Sequence, residues 1–338
     1  MTETTEAPSS DPPAPESSTA LAPPHPQGLP SPLQNLAQRA EDLARASLSP
    51  ATRKAYQAAW TAFETWCRDN GLPALPAAPE TLALYLAKLA PEKGVRTVNK
   101  ALAAIALAHR SAGHVSPTED RQVRRVARGL RRTHGKPAKG KDPVRVDDLS
   151  AMVRDLGADL VDVRDKALLL LGFAGAFRRA ELVALDVEDI KEVPEGLVVM
   201  LRRSKVDQEG EGRKVGIPKA RRARLCPVAA VKAWTTAAGI SAGPLFRPVD
   251  RWGKLRPEGR LSDRAVALVV QRVAKRAGID PANLAGHSLR SGFCTEAARA
   301  GASERAIMSQ TGHKSTTTLR GYIRDGGMFL EHPGAKLL

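Results

Sequence analysis

From Ser31 to about residue 133, apolar residues recur at helical spacing and nowhere alternate as in a strand, so this stretch folds as packed helices. Ser49-Pro50 pairs a capping hydroxyl with proline at the first helical position, where a missing N–H costs nothing. Tyr56, Trp60, Phe63 and Cys67 then fall at i, i+4, i+7 and i+11 and mark one core face. Pro79-Glu80 opens a helix bearing Leu82, Leu84, Leu86 and Leu89. Residues 98–112 are rich in Ala and Leu and stop at Gly113. Ser116-Pro117 repeats the cap-plus-proline signal for a last helix. An all-α unit of four or five helices is expected.

The pattern changes near Pro143. Residues 146–149 and 162–165 lead into helices, and 167–177 is an apolar run. That run is too short for the roughly 18 residues of a membrane span and ends at Arg178-Arg179. No membrane partner is expected. Residues 197–202 and 214–218 read as strands joined by a polar turn at 207–212. Helices are expected again at 227–238, 262–277 and 288–300, with short ones at 303–310 and 315–323. The fold class is therefore mainly α with a small β-sheet. Residues 1–30 are acidic, rich in Pro and Ser and without apolar period; they are expected to be disordered and are no secretory signal. The expected divisions are a 1–30 tail, a 31–133 helical domain, a basic 134–142 linker, a 143–325 second domain and a 326–338 tail.

Charge narrows the partner. Net charge is +16, and Glu3, Glu6, Asp11 and Glu16 are the only charged residues before residue 31, so the positive excess beyond it is larger still. Arg121, Arg124, Arg125, Arg128, Arg131 and Arg132 repeat at helical spacing while Val123, Val126 and Leu130 face elsewhere. Lys136, Lys139 and Lys141 extend the run without one acid. A solvated helix face normally mixes its charges; a face of one sign fits DNA phosphates. Cys67, Cys226 and Cys294 are odd in number and far apart, which fits buried thiols in a reducing compartment rather than a disulfide framework or metal site. A cytoplasmic, nucleoid-associated protein is expected.

The chemistry-bearing residues are Arg178-x-x-Glu181, Lys205, His287-x-x-Arg290, Thr311-Gly312-His313 and Arg320-Gly321-Tyr322. Guanidinium groups hold phosphate oxygens in a fork, imidazole shuttles a proton, and a phenol can attack phosphorus and stay covalently attached. Of the three tyrosines, Tyr56 and Tyr85 lie in apolar helical patterns, leaving Tyr322. Arg178 and Arg179 are adjacent; on one helix they would diverge by roughly 100°. The ordered set, with nine residues from His313 to Tyr322, resembles the tyrosine recombinase (phage integrase) family, Xer- and Cre-like members in particular. The motif of that family is R-x-x-E, and only Arg178 stands three before Glu181, so Arg179 is expected to be a surface or DNA-backbone residue.

The resemblance implies an α-helical, SAM-like core-binding domain and a mixed α/β catalytic domain forming a C-shaped clamp on duplex DNA. It implies that Arg178 and Arg290 grip the scissile phosphate, that Glu181 orients a neighbouring Arg or His, and that His287 assists the tyrosine proton. His313 would bind a phosphate oxygen, Lys205 would protonate the leaving 5′ oxygen, and Tyr322 would be the nucleophile, with Arg203 among the DNA contacts. The implied reaction is site-specific strand breakage and rejoining through a 3′-phosphotyrosyl intermediate, without cofactor or metal, by a homotetramer on two DNA sites. An accessory directionality factor is a further candidate partner. With an acidic, proline-rich N-terminus, no lambda-type arm-binding domain is expected, and the 326–338 tail is expected to dock on a neighbouring protomer. A type IB topoisomerase-like nicking–closing enzyme and a non-catalytic DNA-binding protein of the same fold are the alternatives.

Overall fold

The computed structural model describes residues 31–135, 140–202, 212–313, 315, 316 and 319–322. The expected disordered tail, the 326–338 tail, Lys136, Lys139, Arg203, Lys205 and most of the polar turn lie outside these residues. The chain forms two compact units, Met1–Ala138 and Lys139–Leu338.

The described part of the first unit holds α1 (Ser31–Ala46), α2 (Pro50–Asp69), α3 (Pro79–Glu92), α4 (Val95–Ser111) and α5 (Arg121–His134). Ser49 Oγ accepts from Thr52 N at 3.2 Å and starts α2. The aromatic stripe is core: Trp60, Phe63 and Cys67 are fully buried, and Phe63 meets Tyr85 of α3 edge-on at 5.0 Å. Leu82, Leu86 and Leu89 of α3, Val98, Ala101, Ile105 and Ala108 of α4, and Val123, Ala127 and Leu130 of α5 complete it. Leu84 departs from the expected face and is exposed, because two residues from Leu82 on a helix is nearly the opposite side. Buried His109 satisfies both ring nitrogens, Nε2 accepting from Ala77 N and Nδ1 donating to Ile105 O.

The start and end of α5 differ from expectation. Ser116 caps only a 3₁₀ turn, Pro117–Glu119, and Asp120 caps the helix, its Oδ1 accepting from Gln122 N and Val123 N. A carboxylate at this position answers two orphan amide donors, which the Ser116 hydroxyl lies too far upstream to reach. Thr133 and His134, expected at or in the linker, are still helical; Thr133 Oγ1 donates back to Gly129 O.

The second unit is built on α7 (Leu160–Ala174), buried on all sides through residues 167–171, which explains its continuous apolar run without a membrane. No described helix is long and apolar enough to cross a membrane. Around α7 stand α6 (Val146–Arg154), α9 (Pro227–Ala238) with buried Trp234, and α10 (Asp263–Arg276). An antiparallel sheet in the order β1-β2-β3 (Ile190–Val193, Gly196–Leu201, Arg213–Pro218) pairs Leu197 with Ile217, Val199 with Val215 and Leu201 with Arg213. Its inner face adds Leu197, Val199, Leu201, Val215 and Ile217 to the core. Strand β1 was not expected; it is four residues long with Lys191 and Glu192 exposed, so it has almost no apolar pattern and exists through its pairing with β2. The site elements are α8 (Arg179–Ala184), α11 (His287–Arg299), α12 (Glu304–Thr311) and a helical segment at 319–322.

Candidate active site

Arg178 follows a tight exit from α7. Ala176 adopts φ 49°, the one positive value for a non-glycine residue among those described, and Phe177 is buried beneath it. Arg178 itself is extended (φ −68°, ψ 151°) and caps α8 rather than sitting on it. Glu181, at the third helical position, accepts from Arg178 N at 2.9 Å through Oε2 and from Arg178 Nη1 at 2.5 Å through Oε1. The R-x-x-E spacing is thus the spacing of a capping box, with the acid serving the helix start and the guanidinium together. This corrects the view of Arg178 and Arg179 as two positions on one helix. Arg179 is the first helical residue; it faces Asp263 at 3.8 Å, and its methylenes lie where a β-carbon on Gly286 would stand.

Gly286 precedes His287, the first residue of α11, and the three-residue step to Arg290 keeps both on one face. Arg290 is 1% exposed. Its Nη1 donates to the Ala176 carbonyl at 2.6 Å. Its Nη2 lies 3.2 Å from His313 Nε2. Burial and then the charge of Arg178 lower the Arg290 pKa to about 10, still fully protonated at neutral pH.

Because arginine only donates, His313 Nε2 must accept and its proton sits on Nδ1. Nδ1 donates to Thr311 Oγ1 at 2.7 Å, and that hydroxyl donates to the Ile307 carbonyl at 2.7 Å. Burial, followed by Arg290 and Arg178, pushes the His313 pKa down to about 4, in keeping with a neutral ring. His287 Nε2 lies 2.8 Å from Tyr322 Oη. Loss of solvation, then Arg290, Arg178 and Arg179, hold the His287 imidazole below its ordinary pKa, so it too is neutral at physiological pH. Tyr322 is half-buried against the small cluster of Cys294, Ile307 and Leu319.

Arg178, Glu181, His287, Arg290, His313 and Tyr322 therefore form one electrostatically coupled group. Lys205 and Arg203 belong to the residues not described, between β2 and β3. Arg213 and Gln310 were not singled out by sequence as site residues, Thr311 entered only as part of the stretch leading to His313, and nothing in the sequence separates Arg213 from the other basic residues around Lys205. On the first unit, Arg121, Arg124, Arg125, Arg128, Arg131 and Arg132 are all exposed, and none forms an ion pair among the described residues. Arg131 donates to Asn99 Oδ1 at 3.1 Å. Lys141 donates to the Ala282 carbonyl at 2.8 Å, so the end of the expected linker is already docked on the second unit.

The phage integrase family profile matches residues 144–326, more than half of the chain and all six grouped residues. The chain belongs to the phage integrase family. It is a site-specific tyrosine recombinase. A curated family member, "Integrase/recombinase xerD homolog" of Selenomonas ruminantium, is 39% identical over 308 residues, covering 88% of this chain and 89% of the relative. The recombinase Cre of Escherichia phage P1 is 26% identical over 83% of this chain and 86% of its own. For the fold alone, a lambda integrase dimer bound to a core site matches with TM-score 0.59 at 17% identity, over 90% of this chain and 84% of that one. XerH bound to a palindromic difH substrate matches with TM-score 0.56 at 15% identity, over 76% and 72%. The XerD homolog and Cre are recombinases by name, which favours that reading over the nicking–closing and non-catalytic alternatives.

Proposed function

We propose that the chain cuts and rejoins duplex DNA at a specific site, with Tyr322 as the nucleophile that forms a 3′-phosphotyrosyl bond. The contact between His287 Nε2 and Tyr322 Oη carries this reading. A phenol of ordinary pKa about 10 is a weak nucleophile at neutral pH, so attack needs a proton acceptor. A neutral imidazole 2.8 Å away, with its pKa held down by burial and then by nearby cations, is such an acceptor. Arg178 and Arg290 supply fixed positive charge for the non-bridging oxygens as charge develops in the pentacoordinate transition state. Glu181 and the Ala176 carbonyl hold the two guanidiniums in place.

His313 serves the phosphate through Nε2. In the DNA-free site that nitrogen accepts from Arg290, so donation to a phosphate oxygen requires a proton on Nε2. An arriving phosphate draws Arg290 toward itself and its negative charge raises the His313 pKa, both of which favour that proton. Lys205 protonates the leaving 5′ oxygen, and a 5′-hydroxyl of a partner duplex then reverses the attack. The bond energy stays in the phosphoester throughout. The arginine face of α5 and the 134–142 segment contact DNA phosphates; residues 31–133 serve as the core-binding domain and 143–325 as the catalytic domain. A homotetramer on two sites, with a directionality factor where one is used, performs integration, excision or resolution.

The test is covalent trapping on cellular DNA. Wild-type protein should yield adducts whose sequences share one site, and Tyr322→Phe should bind that site without forming them. An adduct formed by Tyr322→Phe would overturn the assignment.

A further inference from the structure

The site has a second layer that the reaction above does not use. Arg213 opens β3, directly opposite Leu201 at the end of β2, where the Lys205 segment departs. Its guanidinium reaches across to the C-terminus of α12. Nη1 donates to the carbonyls of Gln310 at 2.9 Å and Ser309 at 3.4 Å, and Nη2 donates to that of Thr311 at 3.3 Å. These are carbonyls that no further helical turn satisfies, at the negative end of the helix dipole. A lysine ammonium could not span them as a planar fork does.

The next residue shows how closely the arginine lies. Gly312 ends α12 in the left-handed region (φ 67°), and a β-carbon there would stand 2.8 Å from Arg213 Nε. Glycine meets both demands, and His313 follows at once. From the other side of the helix end, Gln310 Nε2 donates to Ala174 O at 2.9 Å and Gly216 O at 3.0 Å. Ala174 is the last residue of α7, two before the Ala176 carbonyl that receives Arg290. The backbone just before His313 is thus tied to β3 by Arg213 and to both β3 and the Arg178-bearing exit by Gln310. Thr311 fixes only the rotation of the His313 ring; its place in the site comes from these ties.

We propose that Arg213, assisted by Gln310, is a positioning residue that sets His313 against the scissile phosphate. The inference rests on His313 acting on the phosphate, as proposed above. Arg213 does not touch the reacting atoms and acts through the α12 terminus.

The test uses full-length protein and a nicked duplex carrying the site recovered from the trapped adducts. Single-turnover adduct formation and DNA affinity are measured for Arg213→Gln, Arg213→Lys, Gln310→Ala, His313→Ala and the doubles with His313→Ala. Arg213→Gln should slow adduct formation by about tenfold or more while affinity stays within about threefold, since only a transition-state interaction is displaced. Arg213→Lys should recover part of the rate. In the His313→Ala background, Arg213→Gln should change the rate by less than about threefold, because two residues acting through one contact are not additive. If Arg213→Gln fails to fold, Gln310→Ala carries the same cycle with the same expected non-additivity. A full multiplicative loss in the double variant, or a wild-type rate for the singles, overturns the positioning role. A wild-type rate for His313→Ala would instead overturn the role of His313 itself, and the positioning role with it.

Discussion

Glu181→Gln separates the two tasks that one carboxylate performs. Glu181 is 4% exposed, and both its oxygens accept from Arg178, one from the backbone N–H and one from Nη1. A glutamine offers one acceptor oxygen and one donor NH₂ to the same two donors. Whichever way the amide turns, one N–H of Arg178 faces another N–H. Losing a hydrogen bond to a charged partner costs about 1.5–3 kcal/mol. For a domain of this size each kcal/mol moves Tm by about 2–4 °C, so the transition of the second unit should fall by about 3–12 °C. The shape of the side chain is kept, so no cavity contributes. With the amide oxygen turned to the backbone N–H, the α8 cap survives and the Arg178 guanidinium loses its anchor. Adduct formation should then fall by about tenfold, short of the roughly 10²–10³ expected when a transition-state donor is removed altogether. Calorimetry and single-turnover adduct assays on wild type, Glu181→Gln and Arg178→Ala read both effects. A lowered Tm with an unchanged cleavage rate would show that Glu181 only caps α8. An unchanged Tm would refute the donor–acceptor reasoning itself.

Changing Arg124, Arg128 and Arg131 together to Gln should weaken binding to every duplex, lowering the slope of log K against log salt by about 0.9 for each phosphate that is no longer neutralised; an unchanged slope would mean this face does not meet phosphate. His313 has a folded pKa of about 4 against an ordinary 6.5, so the unfolded chain takes up its proton first as pH falls. Its contribution to stability is complete above pH 6.5 and is lost progressively toward pH 4; His313→Gln should flatten that part of the stability–pH curve of DNA-free protein, and an identical curve would refute the neutral, Arg290-bonded ring. Lys205→Ala should be rescued by a substrate with a 5′-bridging sulfur, which leaves without a proton, whereas Arg290→Ala should not; equal behaviour of the two would remove Lys205 from the acid role.

Local rules carried much of the architecture. Helix periods, the Ser49-Pro50 cap and the Gly113 stop were legible because each depends on neighbours a few residues away. The division into a helical unit and a mixed unit followed from the same patterns. Strand β1 was not legible, since its four residues gain their conformation from β2 and not from their own sequence. The start of α5 was misplaced for another reason: Ser116-Pro117 carries a good cap signal, but the fold spends it on a 3₁₀ turn and Asp120 caps the helix.

The candidate site residues stood out in the sequence because few side-chain types could do the proposed chemistry and because their order and spacing are distinctive. What the sequence could not supply is how they hold one another. The carbonyl of Ala176 meets Arg290 across 114 positions of chain, and the His287–Tyr322 pair closes across 35. Arg213 reads as one cation among several until β3 places it 2.9 Å from a carbonyl 97 residues away. By itself the sequence determined which groups are present and which local segments carry them. Only the tertiary structure decided that Arg178 is a cap and not a helix residue, that His313 is neutral with its proton on Nδ1, and that Arg213 lies against the end of α12. The first uses a local spacing that fits a cap and a helix position alike until the backbone is known; the other two depend on distances and burial between segments far apart in the chain, where no periodicity or spacing rule reaches.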